Sequence, residues 1–394
     1  MKQFWTRIRI YLRESAERKL MIGRMSVSRL TIFGVAAGIL LAAVLALIYL
    51  TYGKRDTALT YTRADVRGGY SYRMHDNLLS YRAENYLYTY DGERNVSTFY
   101  ELGTIDGYDV SSSMAIAYSG SAFLIPGVQK NAQPRVLSDG TILDVRAGTN
   151  YAAILFENPN GDRHILIVTR AMESVSTLSF RDGDVVAFDF VRSGASELLW
   201  VSTMDVKQFT EESIVRLYDC RNGGAMVHYS SAFYNQSIYN VYLSDACLFL
   251  IGTQAIIRYD RGEDGGFSAE RDRVRVYGST IVDFSAGPES AYFIALPDAV
   301  EGGENNLVRL ITVSETDDLW STVMQKYMPA PVVGAFLHQN RVCVFTRENF
   351  LQFSFAGKKL LDVEQQYVPN AVFEYGDTGF LVLTDDACYR ATVE

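Results

Sequence analysis

From residue 57 onward the chain is written in short runs of alternating apolar and polar residues, rich in Tyr, Phe, Val and Ile and broken by Asp-Gly, Asn-Gly and Ser-Gly. That texture belongs to half-buried strands and tight turns, and no long stretch carries the 3.6-residue period of a helix. An all-β body is expected.

The runs recur as a unit. In Cys247–Asp260 (CLFLIGTQAIIRYD) an apolar strand, a short polar turn and a second strand ending at Tyr-Asp follow one another. The same shape returns in Leu78–Asp91, Ala115–Pro126, Val342–Phe355 and Phe380–Val393, and with longer turns in Ala153–Val168, Leu198–Asp219 and Tyr292–Val313. Aligned on the second strand of each pair, the equivalent residues are Leu87, Leu124, Leu166, Val215, Ile257, Val308, Leu351 and Tyr389, spaced about 43 apart on average. A period of ~40–45 residues with four strands per unit is that of a β-propeller blade. Inner strands are expected ahead of the hairpins, as in Val185–Val191, Tyr239–Leu243, Ile281–Phe284 and Val332–Phe336, and outer strands after them, as in Val96–Leu102, Arg273–Tyr277 and Lys359–Val363.

The last repeat stops after its third strand, while Thr57–Thr62 (TALTYT) precedes the first inner strand without a blade of its own. Pairing the two would close a ring. An eight-bladed propeller is expected, with seven blades as the alternative if the weak hairpin Ala115–Pro126 does not form one.

Ahead of the body, Thr31–Leu50 runs twenty residues without a charge or an amide. A helix of that length spans ~30 Å, the thickness of the hydrocarbon core of a bilayer. The long stretch before it and the lack of a small-x-small cleavage site favour an uncleaved anchor over a signal peptide. Charge then orients the chain. Up to Leu30, eight basic residues stand against Glu14 and Glu17, a balance of +6, so the remainder carries −15 of the net −9. By the positive-inside rule residues 1–30 form a cytoplasmic head, 31–50 the transmembrane helix, 51–56 a short linker and 57–394 an extracytoplasmic propeller. Within the helix Gly34, Gly38, Ala42 and Ala46 recur every four residues, a small-residue face through which two helices could pair as a homodimer. In the head, Phe4, Ile8, Tyr11 and Leu12 share one side of a helical projection, an arrangement suited to an anionic leaflet.

The blade period and architecture over residues 57–394 resemble the membrane-anchored bacterial proteins whose ectodomain is a quinoprotein-like, pyrroloquinoline-quinone-type propeller. Quinoprotein blades carry a docking Trp in repeat after repeat, whereas this body holds only Trp200 and Trp320, so no cofactor is expected.

Candidate chemistry is sparse. A composition of 48% hydrophobic and 13% aromatic residues excludes a disordered chain, and the negative balance speaks against a nucleic-acid partner. His75, His164, His228 and His338 lack metal-ligand spacing, and Asn158, Asn160 and Asp162 alternate like a calcium loop but are followed by Arg163 where that loop needs Gly. No Gly-x-Ser-x-Gly, Ser-x-x-Lys or phosphate-binding glycine loop occurs, so no catalytic residue is assigned. Cys220, Cys247, Cys343 and Cys388 are expected as buried thiols, the last three within apolar strands.

Three of the hairpin turns read as extended: Glu157–Arg163, Ser202–Ser213 and Leu296–Asn306. Turns between second and third strands share one face of a propeller, so Asp162, Lys207, Phe209, Glu211, Glu212, Asp298, Glu301 and Glu304 make up a candidate binding face, pointing away from the membrane because the linker reaches at most ~20 Å. The expected function is a membrane-anchored module that binds or scaffolds an extracytoplasmic protein or cell-envelope ligand. The alternative is a carbohydrate-active or quinoprotein-type propeller enzyme.

Overall fold

A computed structural model describes residues 19–22, 25–28, 38 and 40–44, and residues 59–393 apart from short internal segments, the longest being 127–132, 299–305 and 315–319. The chain divides into two units, Met1–Ala58 and Leu59–Glu394.

In the first unit Lys19–Ile22 and Met25–Ser28 pair as an antiparallel hairpin. Gly38 and Leu40–Val44 are helical, and Leu40 and Leu41 are 70% and 62% exposed. Among the described residues no helix is long and apolar enough to cross a membrane. Most of the expected transmembrane segment, including Gly34 and Ala46, lies outside the described residues, as do Phe4, Ile8, Tyr11 and Leu12 and the linker. Gly38 and Ala42, the two described members of the small-residue face, are both helical and exposed, and no atom would meet a Cβ at Gly38.

The second unit is built from eight antiparallel sheets, which we number as blades 1 to 8 in chain order. In blades 1 to 7 four strands meander in sequence order and in blade 8 three do, and the first strands of most successive sheets lie against one another, which makes them the inner ring. The ring closes as expected: Leu59–Arg63 pairs antiparallel with Cys388–Val393 and supplies the fourth strand of blade 8. At this seam Tyr367 and Tyr389 stack at 3.9 Å, with Tyr61 edge-on to Tyr367 at 5.2 Å. Closure removes the edge that an open sheet would present to other chains. Ala115–Ser119 and Ala122–Leu124 are the middle strands of blade 2, so the count is eight rather than seven.

Why the strands look so apolar follows from where the core sits. Among the described residues it consists of eight clusters, each shared by two neighbouring blades. In blade 5, Cys247, Phe249 and Ile251 pack on Ile281, Phe293 and Val313 of blade 6, while Leu248 and Leu250 between them pack on Trp200 and Leu217 of blade 4. A middle strand buried on both faces has no polar alternate, hence CLFLIG. At ~25 cal/mol per Å² of apolar surface these interfaces supply the main stabilisation, and no blade could bury its faces alone. All four cysteines are buried in the blades and none forms a disulfide. Burial pushes the Cys220, Cys343 and Cys388 thiols up to about 12.

One expected loop is a strand pair. Ser196–Lys207 and Thr210–Asp219 of blade 4 stay in register from Leu198↔Asp219 out to Lys207↔Thr210. Residues Ser202–Ser213 are therefore a prolonged hairpin and not an extended turn. Its polar sequence is misleading because Ser202, Thr203 and Ser213 are buried, with Ser213 Oγ donating to the carbonyl of Gln236 at 2.6 Å. Phe233–Tyr234 adds a fifth strand against Glu212–Ser213.

Candidate functional site

The first strands of blades 3 to 7 share a β-bulge, at Ile142/Asp144, Val185/Ala187, Ile238/Asn240, Ile281/Asp283 and Val332/Gly334. Because the bulge recurs, residues can be matched from blade to blade. Two positions beyond the second bulge residue stand Arg146, Asp189, Tyr242, Ser285 and Phe336, in blades 3 to 7. In blades 1 and 2, Arg73 and Asp109 lie near the turn from first to second strand and meet at 2.8 Å, which puts them at one level. One register of the inner ring thus reads Arg, Asp, Arg, Asp through blades 1 to 4 and Tyr, Ser, Phe through blades 5 to 7.

The charged arc borders a cavity of about 470 Å³, lined by Arg73, Asp109, Asp189, Arg192 and Glu197 among others. It lies where the first strands end and turn into the second. Its wall is tied across blades. Ser111 Oγ of blade 2 donates to the Gly148 carbonyl of blade 3 at 2.6 Å, and Ser113 Oγ to the Thr149 carbonyl at 3.0 Å. Glu197 of blade 4, 4% exposed, accepts the backbone N–H groups of Thr149 and Asn150 in the blade 3 turn. That reach needs Gly148, where a Cβ would fall 2.2 Å from Glu197 Oε1 and 2.8 Å from the Tyr151 carbonyl.

The four charges are not equally matched. Arg73 Nη1 donates to Asp109 Oδ1 at 2.8 Å, and Asp109 Oδ2 accepts the Ala147 N–H at 2.8 Å, so both oxygens are engaged. Arg146 bonds Asp144 at 2.8 Å and lies over the Phe188 ring at 5.1 Å. Asp189 accepts only the N–H of Phe190, at 2.7 Å through Oδ1, and its Oδ2 has no hydrogen-bond partner among the described residues. Asp189 is enclosed by protein yet keeps partial exposure, because it opens into the cavity. Burial pushes its carboxyl up to about 6, the neighbouring Asp109 adds to this, and the Phe190 N–H, Arg146 and His75 oppose it without winning. Asp109 is raised too, mainly by burial. Arg192 at the rim is exposed.

The face singled out in the sequence is the opposite one. Turns joining second to third strands sit at the other end of the blades from the cavity. Asp162 is exposed in the turn between Glu157 and Arg163, where Asn158 Oδ1 accepts the N–H groups of Asn160 and Asp162. The alternation that looked like a calcium loop is therefore a side-chain-capped turn. Asp298 is exposed and accepts from Thr280 Oγ1 at 2.7 Å. Glu211 is exposed opposite Val206, and Glu212 is half-buried opposite Asp205 and Tyr234. Lys207 pairs with Thr210 through the backbone, while Phe209, Glu301 and Glu304 lie outside the described residues. The turns come from blades 3, 4 and 6, so they share a face but form no single cluster. On that same face a smaller cavity of about 330 Å³ lies at the seam of blades 8 and 1, lined by Tyr72, Asn370, Asp385 and Asp386 among others. No group of three or more His, Cys, Asp or Glu able to hold a metal occurs among the described residues.

No protein-family model matches the chain, and neither does any curated protein. Solved structures do. BamB from Moraxella catarrhalis is 10% identical, with a TM-score of 0.51 over 86% of this chain and 100% of that one. Sqt1 from Saccharomyces cerevisiae is 10% identical, with a TM-score of 0.56 over 86% of this chain and 99% of that one. The WD40 domain of SCAP from fission yeast is 9% identical, with a TM-score of 0.56 over 85% of this chain and 98% of that one. The chain is a β-propeller. At such identities the likeness is one of fold, and the function has to be argued from this propeller's own residues.

Proposed function

We propose that the chain is a single-pass membrane protein whose propeller lies outside the cytoplasm and serves as a binding or scaffolding module for a protein or cell-envelope ligand. The observation that carries the binding reading is the cavity at the inner ends of blades 1 to 4, whose wall is fixed by bonds between blades while Asp189 keeps an oxygen unspent. Polar groups held rigidly around a concavity are what a binding site requires. The membrane reading is supported by the uncharged run Thr31–Leu50, the basic head before it and the helical conformation of Gly38 and Leu40–Val44. Kinship with membrane-anchored quinoprotein-like propellers of bacteria, and pairing of two helices through Gly34, Gly38, Ala42 and Ala46, belong to the same proposal. The acidic turns around Asp162 and Asp298, with Lys207, Phe209, Glu211, Glu212, Glu301 and Glu304, would be a second contact surface.

The test has two arms. Protease added to intact cells should remove an epitope placed after Glu394 and spare one placed before Met1; the reverse pattern sinks the orientation. A photo-crosslinking residue at Ser112 or Arg192, on the cavity, should capture a ligand in cells that the same residue at Val136, exposed on the outer strand of blade 2, does not. Equal capture from both positions sinks the site.

A further inference from the structure

The cavity's own chemistry narrows what it can hold. Count the charges around it and ask which are already spent. Asp109 is engaged by Arg73 and by the Ala147 N–H. Glu197 is engaged by two backbone N–H groups, and Arg146 by Asp144, the Val145 carbonyl and the Phe188 ring. Arg73 is bound to Asp109 and lies 5.8 Å from the Tyr108 ring centroid. Arg192 stands exposed at the rim and His75 also borders the space; the acid left without a partner among the described residues is one carboxylate oxygen, Oδ2 of Asp189, with the hydroxyl-bearing Ser112 and Thr149 on the same lining.

A carboxylate in that position carries a cost of desolvation with one hydrogen bond to offset it. Arg73 and Arg146 are committed to Asp109 and Asp144, Arg192 is exposed at the rim, and the pull of His75 does not offset the burial of Asp189. The group that would satisfy it is a donor carrying positive charge and entering from the mouth. We propose that this cavity binds an alkylammonium or guanidinium group, with Asp189 as its counter-ion. The inference deepens the binding reading above and rests on it.

The cation could be a small free amine or the side chain of a lysine or arginine projecting from a partner protein. Both fit a body that carries −15 from residue 31 onward, which draws cations towards it. The proton already acts as a weak stand-in, because burial and Asp109 hold the Asp189 carboxyl near 6 against the pull of Arg146 and His75.

Calorimetric titration of the full-length protein in detergent, at pH 7.5, distinguishes the sources. The probes are putrescine and an N-acetylated ten-residue peptide with one central lysine. Binding of putrescine alone assigns the site to a free amine, binding of the peptide alone to a partner's side chain, and binding of both to either. In each case Asp189→Asn should weaken the affinity about tenfold or more, the scale of losing a charge-assisted hydrogen bond. Ser112→Trp, which fills the exposed mouth and leaves the carboxylate in place, should do the same and covers the event that Asp189→Asn folds poorly. Asp162→Asn, on the opposite face, should change nothing.

The proposal is overturned if neither probe binds, if both cavity variants bind as the wild type does, or if Asp162→Asn weakens binding as much as Asp189→Asn. The last result would mean attraction to the net charge rather than a site. The in-cell crosslinking from Ser112 and Arg192 can succeed while amine binding fails, so the two readings fall separately.

Discussion

At one level of the inner ring, blades 1 to 4 present Arg73, Asp109, Arg146 and Asp189, and blades 5 to 7 present Tyr242, Ser285 and Phe336. Both arcs stand on the first strands of four-stranded blades, with the same bulge in blades 3 to 7, and the consequences differ. In the aromatic arc Tyr242 stacks on Phe284 at 4.6 Å, Phe284 meets Phe293 at 5.1 Å and Phe336 meets Phe380 at 5.6 Å, so rings fill the space between blades. In the charged arc Arg73 holds Asp109 at 2.8 Å, Arg146 turns to Asp144 and Asp189 keeps one oxygen unpaired among the described residues, beside a cavity of about 470 Å³. A repeat fold can thus give one half of its ring to packing and the other to recognition, because each blade contacts only its neighbours.

The largest effect should come from the packed half. Phe293 is fully buried and touches the rings of Tyr242, Phe249, Phe284 and Trp320. Phe293→Ala should cost about 3–5 kcal/mol in denaturant unfolding, the sum of lost transfer energy and the cavity left behind. A cost below about 1 kcal/mol would mean that blades 5 and 6 are loosely packed and that the contrast between the arcs is unreal. Next comes the turn that holds the cavity wall. Gly148→Ala drives a methyl into Glu197, the Tyr151 carbonyl and the Phe190 ring, so Glu197 must leave the Thr149 and Asn150 N–H groups. We expect a loss of about 2–3 kcal/mol, the upper part of what overpacking costs, measured by the same unfolding. A neutral result would show that the wall is not held by Glu197.

How much of this the sequence discloses depends on which way a residue's neighbours lie. Strands such as Cys247–Gly252 and, past its exposed first residue, Arg341–Thr346 are buried on both faces, so their apolar character survives into the sequence and marks the blades. The closing strand Leu59–Arg63 was legible for the complementary reason: the last repeat lacked an outer partner. The cavity was not legible, because Arg73, Asp109, Arg146 and Asp189 each look like an ordinary strand charge and lie one blade apart. Laying the first strands of blades 1 to 4 over one another at the blade period would have exposed the alternating column. Turn length pointed to the other face and was itself misread at Ser202–Ser213, where buried serine and threonine imitate a loop.

The smallest effect separates the arcs through a single proton. Asp189→Asn keeps the oxygen that accepts the Phe190 N–H and removes a charge that the fold holds at a cost. The groups facing that carboxyl are Asp109, which raises it, and Arg146 and His75, which lower it; burial outweighs them and sets it near 6, against 3.8 for a free carboxyl. A folded-state value above the unfolded one means the native protein binds the proton more tightly. Asp189 therefore adds stability that is fully present below pH 3.8 and lost as pH rises through about 6. A shift of two pH units corresponds to ~3 kcal/mol, and water reaching Asp189 through the cavity screens part of it, so Asp189→Asn should be more stable than wild type by about 1–2 kcal/mol at pH 7.5. The advantage should shrink through pH 6 and vanish near pH 4, where both proteins carry a neutral group. Unfolding curves at pH 4, 6 and 7.5 decide it. A variant less stable at pH 7.5 would mean that the Asp189 charge is already compensated in the folded protein, and the charged arc would then be as complete as the aromatic one.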